Sequence, residues 1–169
     1  MEDDTIAIAE PPIRNSGVMG GKFLSRQVVK KDDGSKYLAN DMYTGHVVDI
    51  MCHHFELLNG DEYSYRLMEN DSKTFPFSCH SKIHEKMVEY KGAISKYFAT
   101  EYQGDNKITM VDLSTCCQKI GLELNKQQIL TVWRKIDKKR KNKVSFTKII
   151  SLLESDHDRS DYTRGRRKL

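Results

Sequence analysis

The chain has 169 residues, 38% of them hydrophobic and 31% charged, with a net charge of +4. That content builds one moderate core or two small ones, and no apolar run approaches the roughly 20 residues needed to cross a bilayer. The acidic start Met1-Glu2-Asp3-Asp4 is unlike a secretory leader, so a cytosolic or cytoskeletal setting with reduced thiols is expected for Cys52, Cys79, Cys116 and Cys117.

The first seventy residues are short runs punctuated by Gly and Pro, a β pattern. Glu10-Pro11-Pro12-Ile13-Arg14-Asn15 predicts a rigid loop, because two prolines fix φ and remove two donors, and Gly17, Gly20 and Gly21 permit positive φ or close backbone approach. Arg14 and Asn15 either face a protein partner or hold an internal turn. Phe23 to Lys30 predicts a strand, Asp32-Asp33-Gly34-Ser35 a turn and Lys36 to Leu38 its return. His46 to Met51 and Phe55 to Leu58 follow, joined tightly at Cys52-His53-His54. After Asn59-Gly60, Glu62 to Asn70 is expected as a short helix. Residues 71–82, polar and containing Pro76, fit a linker.

From residue 83 the period changes. Ile83, Met87, Tyr90, Ile94, Tyr97 and Phe98 recur at helical steps, as do Met110, Leu113, Cys117 and Ile120. Ile129, Val132, Trp133 and Ile136 repeat the rule, followed by Phe146, Ile149, Ile150 and Leu153. Between these helices, Asn106-Lys107-Ile108-Thr109 recurs as Asn142-Lys143-Val144-Ser145 at an offset of 36 residues. Gly121 stops one helix and Asn125-x-x-Gln128 starts the next. Residues 83–154 therefore resemble a calmodulin-like EF-hand pair.

With Ile108 and Val144 as the apolar eighth positions, the loops run from Glu101 to Asp112 and from Asp137 to Lys148. Calcium requires oxygen ligands, ending in a bidentate Glu. The second loop instead places Lys139, Lys141 and Lys148 at ligand positions, where each unit-charge pair at 4 Å costs about 4 kcal/mol at an effective dielectric of 20. The first offers Glu101, Gln103, Asp105 and Asp112 as weak calcium candidates, but Asp112 is one methylene short for bidentate closure. Asn106 and Asn142 replace the usual glycine, which Asn's tolerance of left-handed φ allows. The pair is expected to keep its shape without metal or cofactor and to form a small domain or grip a partner segment.

The segment Asp4 to Leu24, with Glu10-Pro11-Pro12-Ile13-Arg14-Asn15 at its centre, resembles the DM-ten domain of axonemal EF-hand family C proteins. Gly45-His46-Val47-Val48-Asp49-Ile50 and His54-Phe55-Glu56-Leu57-Leu58-Asn59-Gly60-Asp61-Glu62-Tyr63 are similar to its later strands and helix start. The resemblance implies an α+β chain: a partial pleckstrin-homology-like DM-ten domain over 1–70, a linker over 71–82, a degenerate EF-hand pair over 83–154 and a flexible charged tail over 155–169. It implies strands before Asp3-Asp4-Thr5-Ile6, so a short isoform or fragment, or a sheet completed by another chain, is expected. It also implies a non-enzymatic structural protein of the inner wall of ciliary or flagellar doublet microtubules, with tubulin and neighbouring inner proteins as partners and no membrane. The alternative is a soluble calcium-responsive adaptor acting through loop one.

Charge offers a contact surface at Lys135, Lys138, Lys139, Arg140, Lys141 and Lys143, and again at Arg164, Arg166, Arg167 and Lys168. Such clusters speed encounter with acidic partners. Nucleic acid is disfavoured by the modest net charge and the lack of a base-reading motif. Cys52, His54, Cys79 and His84, with His53 and His80 as substitutes, have zinc-ligand chemistry but fit no common finger spacing. No activated nucleophile, phosphate loop or paired-carboxylate pattern stands out.

Overall fold

The computed structural model describes residues 3–17, 19–102 and 106–155. The architecture is α+β, and the chain divides into two compact units, the first ending at Glu62 and the second beginning at Tyr63.

The first unit is built from two antiparallel hairpins. Strand β1 (Thr5–Glu10) pairs with β2 (Gly21–Val28), and β3 (Val47–Ile50) pairs with β4 (His53–Glu56). β1 lies outside the expected strands; in it Ile6 and Ile8 are half-buried and Ala7 and Ala9 exposed, the alternation of a one-sided sheet. Two register irregularities shift the β1–β2 pairing, a mark of bulged, strongly twisted ribbons. β2 ends at Val28, two residues before the expected limit, because the chain turns into a Lys30–Lys36 bridge closed by Lys31 N–H donating to the Ser35 carbonyl at 2.7 Å. Leu24, Tyr37, Val48 and Ile50 are buried at the centre, with Ile6, Ile8, Val29, Met42, Phe55 and Leu57 packed against them. The Tyr37 hydroxyl accepts from the Asp49 amide at 2.9 Å, satisfying the ring's polar end inside this core.

Two turns set the geometry of this unit. Between β1 and β2, Gly20 has φ +69°, and a Cβ there would lie 2.5 Å from the Glu10 carbonyl oxygen and 2.8 Å from the Pro12 nitrogen. Only glycine fits against that backbone. Between β3 and β4, Ile50 pairs with His53, so the connection is Met51-Cys52 and not the Cys52-His53-His54 expected. Both residues take positive φ, 52° and 63°. That is the backbone of a two-residue primed turn, whose twist matches the strands but normally selects Asn and Gly.

The second unit contains α1 (Glu62–Asn70, counted with the helices although its first residue closes the first unit), α2 (His80–Glu89), α3 (Lys91–Glu101), α4 (Met110–Lys119), α5 (Lys126–Ile136) and α6 (Thr147–Glu154). The α1 helix, expected to close the strand domain, groups with the helices instead. Arg134 lies 4.8 Å from the Tyr65 ring centroid and donates from Nε to Glu69 at 2.7 Å. Residues 71–82, read as a linker, are folded: Pro76–Ser78 form a 3-10 turn, Phe75, Ser78 and Cys79 are buried, and Gln127 donates to the Ser78 hydroxyl at 3.1 Å. The helical run expected from Ile83 to Phe98 is two helices broken at Tyr90, which has φ −100° and ψ 8°. Gly92, one of the weakest helix formers, stands just after the break.

Candidate functional site

The two loops of the helical unit meet back to back. Short strands β5 (Lys107–Ile108) and β6 (Val144–Ser145) pair antiparallel with Ile108 opposite Val144, as their eighth-position assignment requires. Both side chains are buried, and the Phe146 amide donates to the Asn106 carbonyl at 2.9 Å. The joint follows the sequence expectation: Gly121 has φ +76°, and Asn125 and Gln128 exchange side-chain-to-backbone bonds of 2.8 and 2.9 Å. This reciprocal capping satisfies orphan amides at the start of α5.

Each loop is closed by protein groups. At the end of loop one, the Asp112 carboxylate accepts from the Thr109 amide at 2.7 Å and the Thr109 hydroxyl at 2.8 Å, and the Tyr102 hydroxyl donates to it as well. Burial works to raise the Asp112 carboxyl, but those donors and the Lys143 charge outweigh it and hold it below the usual carboxylate range. Burial first, and the bond to Asp112 second, push the Tyr102 phenol up to about 12. Glu101 lies 3.9 Å from the Lys119 ammonium, while Gln103 and Asp105 fall outside the described residues. In loop two, Asp137 is buried and accepts from the Lys141 amide at 3.0 Å and the Asn142 amide at 2.8 Å. Asn142 takes φ +57° in place of the customary glycine.

Behind the loops the helices enclose one core. Ile94, Phe98, Leu113, Val132, Trp133, Ile149 and Leu153 are buried there together with Ile83 and Met87 from α2. An EF-hand pair that grips a partner does so with an open apolar groove. Here α2 packs against α3, α5 and α6 and fills that interior with the chain's own Ile83 and Met87, at 0% and 1% exposure. Of the two expected arrangements, a small domain or a pair that grips a partner segment, the described residues form the self-filled small domain. Periodicity put Ile83 and Met87 on the correct face, but nothing local indicated that they lie on a separate helix.

The expected partner residues are distributed over both units. Arg14 and Asn15 sit in the exposed β1–β2 connection, where Asn15 has φ +63° and the Ser16 hydroxyl donates to the Ile13 carbonyl at 2.7 Å. Lys138, Lys139, Arg140 and Lys141 are exposed on loop two, with Arg140 at φ +50°. Arg164, Arg166, Arg167 and Lys168 lie outside the described residues.

Among the described residues no three His, Cys, Asp or Glu side chains converge as a metal site. Three of the four zinc candidates are held by other groups: His54 with Asp49 in the strand unit, Cys79 Sγ with Ser81 Oγ at 3.2 Å, and His84 Nε2 with the Leu152 carbonyl at 3.0 Å. Cys116 and Cys117 are buried, and burial pushes their thiols up to about 12 and about 11. Such thiols make poor nucleophiles.

A strand domain with a proline-rich hairpin connection, followed by a metal-position-poor EF-hand pair, defines the class. Residues 1–64 match the DM10 domain model. The chain is 28% identical to the EF-hand domain-containing family member C2 of Danio rerio across 93% of its own length and 23% of that relative. It is 36% identical to the Mus musculus family member C2, over 64% of this chain and 16% of the relative. With the Mus musculus EF-hand domain-containing protein 1 it shares 30% identity, over 93% of this chain and 27% of the relative. The chain is thus similar to these EF-hand domain-containing proteins and carries a DM10 match in its first part, and it spans about a quarter or less of the relatives' lengths.

Proposed function

We propose that the chain is a non-enzymatic structural protein of ciliary or flagellar doublet microtubules, lying on the inner wall with tubulin and neighbouring inner proteins as its partners. The observation that carries this reading is the succession of a DM10 domain and an EF-hand pair whose loops are closed by Asp112 and Asp137 through the protein's own donors. A module of that kind works by fixed shape. Arg14 and Asn15 in the strand unit and Lys138, Lys139, Arg140 and Lys141 in loop two are its partner-facing residues.

The test is mass spectrometry of axonemes extracted with detergent and then salt, following peptides of this chain. Retention in salt-resistant doublets is expected. Release into the soluble matrix overturns the assignment. In the same reading loop one holds no calcium, because binding would have to take Asp112 from Thr109 and Tyr102. Millimolar calcium is expected to leave Trp133 fluorescence unchanged, and a saturable change would favour a calcium-responsive adaptor.

A further inference from the structure

Loop two and α6 build a feature of which the family reading uses only Lys138 and Lys139. The end of α5, the loop and α6 enclose an open cleft of about 420 Å³ whose lining includes Lys135, Lys138, Lys139 and Lys148. Ile136 and Leu152 supply apolar surface between the charges. Among the described residues, none of these four ammonium groups has a carboxylate within 4.0 Å, whereas Lys91, Lys119 and Arg134 elsewhere in the same unit do. Four like charges gathered without counter-charge repel one another, and an anion between them relieves that repulsion.

We propose that this cleft docks an acidic peptide segment of a partner protein. Carboxylates would pair with Lys138, Lys139 and Lys148, while an apolar side chain would rest on Ile136 and Leu152. The shape argues for a peptide over nucleic acid. No aromatic ring lines the cleft to stack a base, no arginine is present to fork onto phosphate, and the volume suits a few side chains. Arg140, Lys141 and Lys143 lie outside the lining, so the docking set is narrower than the basic run in the sequence. The proposal shares Lys138 and Lys139 with the doublet reading, adds Lys135, Lys148 and the apolar floor, and does not depend on it.

The experiment is fluorescence anisotropy of the full chain with a fluorescein-labelled peptide alternating glutamate pairs with leucine, at low and physiological salt. Saturable binding is expected, weakened about tenfold or more by Lys138→Glu/Lys139→Glu/Lys148→Glu, since three attractive charges become repulsive together. A matched triple reversal at Lys22, Lys82 and Lys86 is expected to leave the affinity nearly unchanged. All six positions are exposed, and Trp133 fluorescence verifies folding. Equal weakening by both triples overturns the cleft, as does absence of binding at low salt. Tighter binding of an equally charged oligothymidine would give the site to nucleic acid instead. Binding that appears only after removal of residues 156–169 would give it to the chain's own Asp156, Asp158 and Asp161. Loss of axonemal retention would leave this test unaffected, so the two proposals fail separately.

Discussion

Among the described residues, the core cluster of the strand unit holds 4 buried hydrophobic side chains and that of the helical unit 16. With so little apolar burial, the first unit depends on turns that only certain backbones can make, whereas the second depends on packing. At about 1.5–3 kcal/mol for each fully buried large side chain, the helical core can absorb a local defect that the strand unit cannot. The comparison can be broken or sharpened by substitution.

The largest effect is expected from Phe98→Ala. Phe98 is fully buried and stacks on Phe146 at 6.0 Å between centroids, and its truncation should cost about 3–5 kcal/mol. Urea unfolding followed at Trp133 measures the loss, and amide exchange at Val48 and Ile50 should not follow. Joint loss of protection would show that the two units unfold as one. Gly20→Ala is the converse. It forces a Cβ into the Glu10 and Pro12 backbone and should cost about 2 kcal/mol or more. Exchange at Ile8 and Leu24 should rise while the Trp133 transition stays in place.

Smaller, Asp112→Ala removes the carboxylate half of the capping box that Thr109 and Asp112 form at the start of α4 and should cost about 1–2 kcal/mol at neutral pH. Its pH dependence has a definite sign. The folded carboxyl lies below its ordinary value of 3.8, so its contribution is present above that value and disappears as pH falls through the folded one. The gap in stability between wild type and variant should close in acid, and a constant gap would mean that the carboxylate's charge is irrelevant. Smallest is Cys52→Gly, expected to stabilise the strand unit by about 0.5 kcal/mol, as relief of the left-handed penalty outweighs added chain entropy. Exchange at Ile50 and His53 reads it.

Sequence revealed what was local and periodic. Ile108 and Val144 could be placed opposite each other because a repeated tetrapeptide sat between in-phase helices, and the Asn125–Gln128 cap because its spacing is diagnostic. The break at Tyr90 was hidden because the apolar spacing from Ile83 to Phe98 stays in phase across it. Residues 71–82 looked like a linker because their burial comes from distant residues: Ser78 is satisfied by Gln127, 49 positions away. The grouping of α1 with the helices likewise rests on Arg134. In loop one, spacing nominates Asp112 as a ligand, whereas its bonds to Thr109 and Tyr102 depend on side-chain geometry that spacing does not encode. The lysine cleft combined charges visible in the sequence with Lys148 on the next helix and an apolar floor that charge patterning does not register.

The placement of the four cysteines gives the chain a built-in clock. Cys52 is exposed at the β3–β4 turn, whereas Cys79, Cys116 and Cys117 are buried in the helical unit. An alkylating reagent should consume one thiol at once, and Cys116 and Cys117 should follow only as fast as the helices open. At high reagent concentration that slow phase reports the opening rate of the packed unit itself, so one unlabelled, unmutated sample can time the excursions of one half of the molecule while its other half acts as the starting mark.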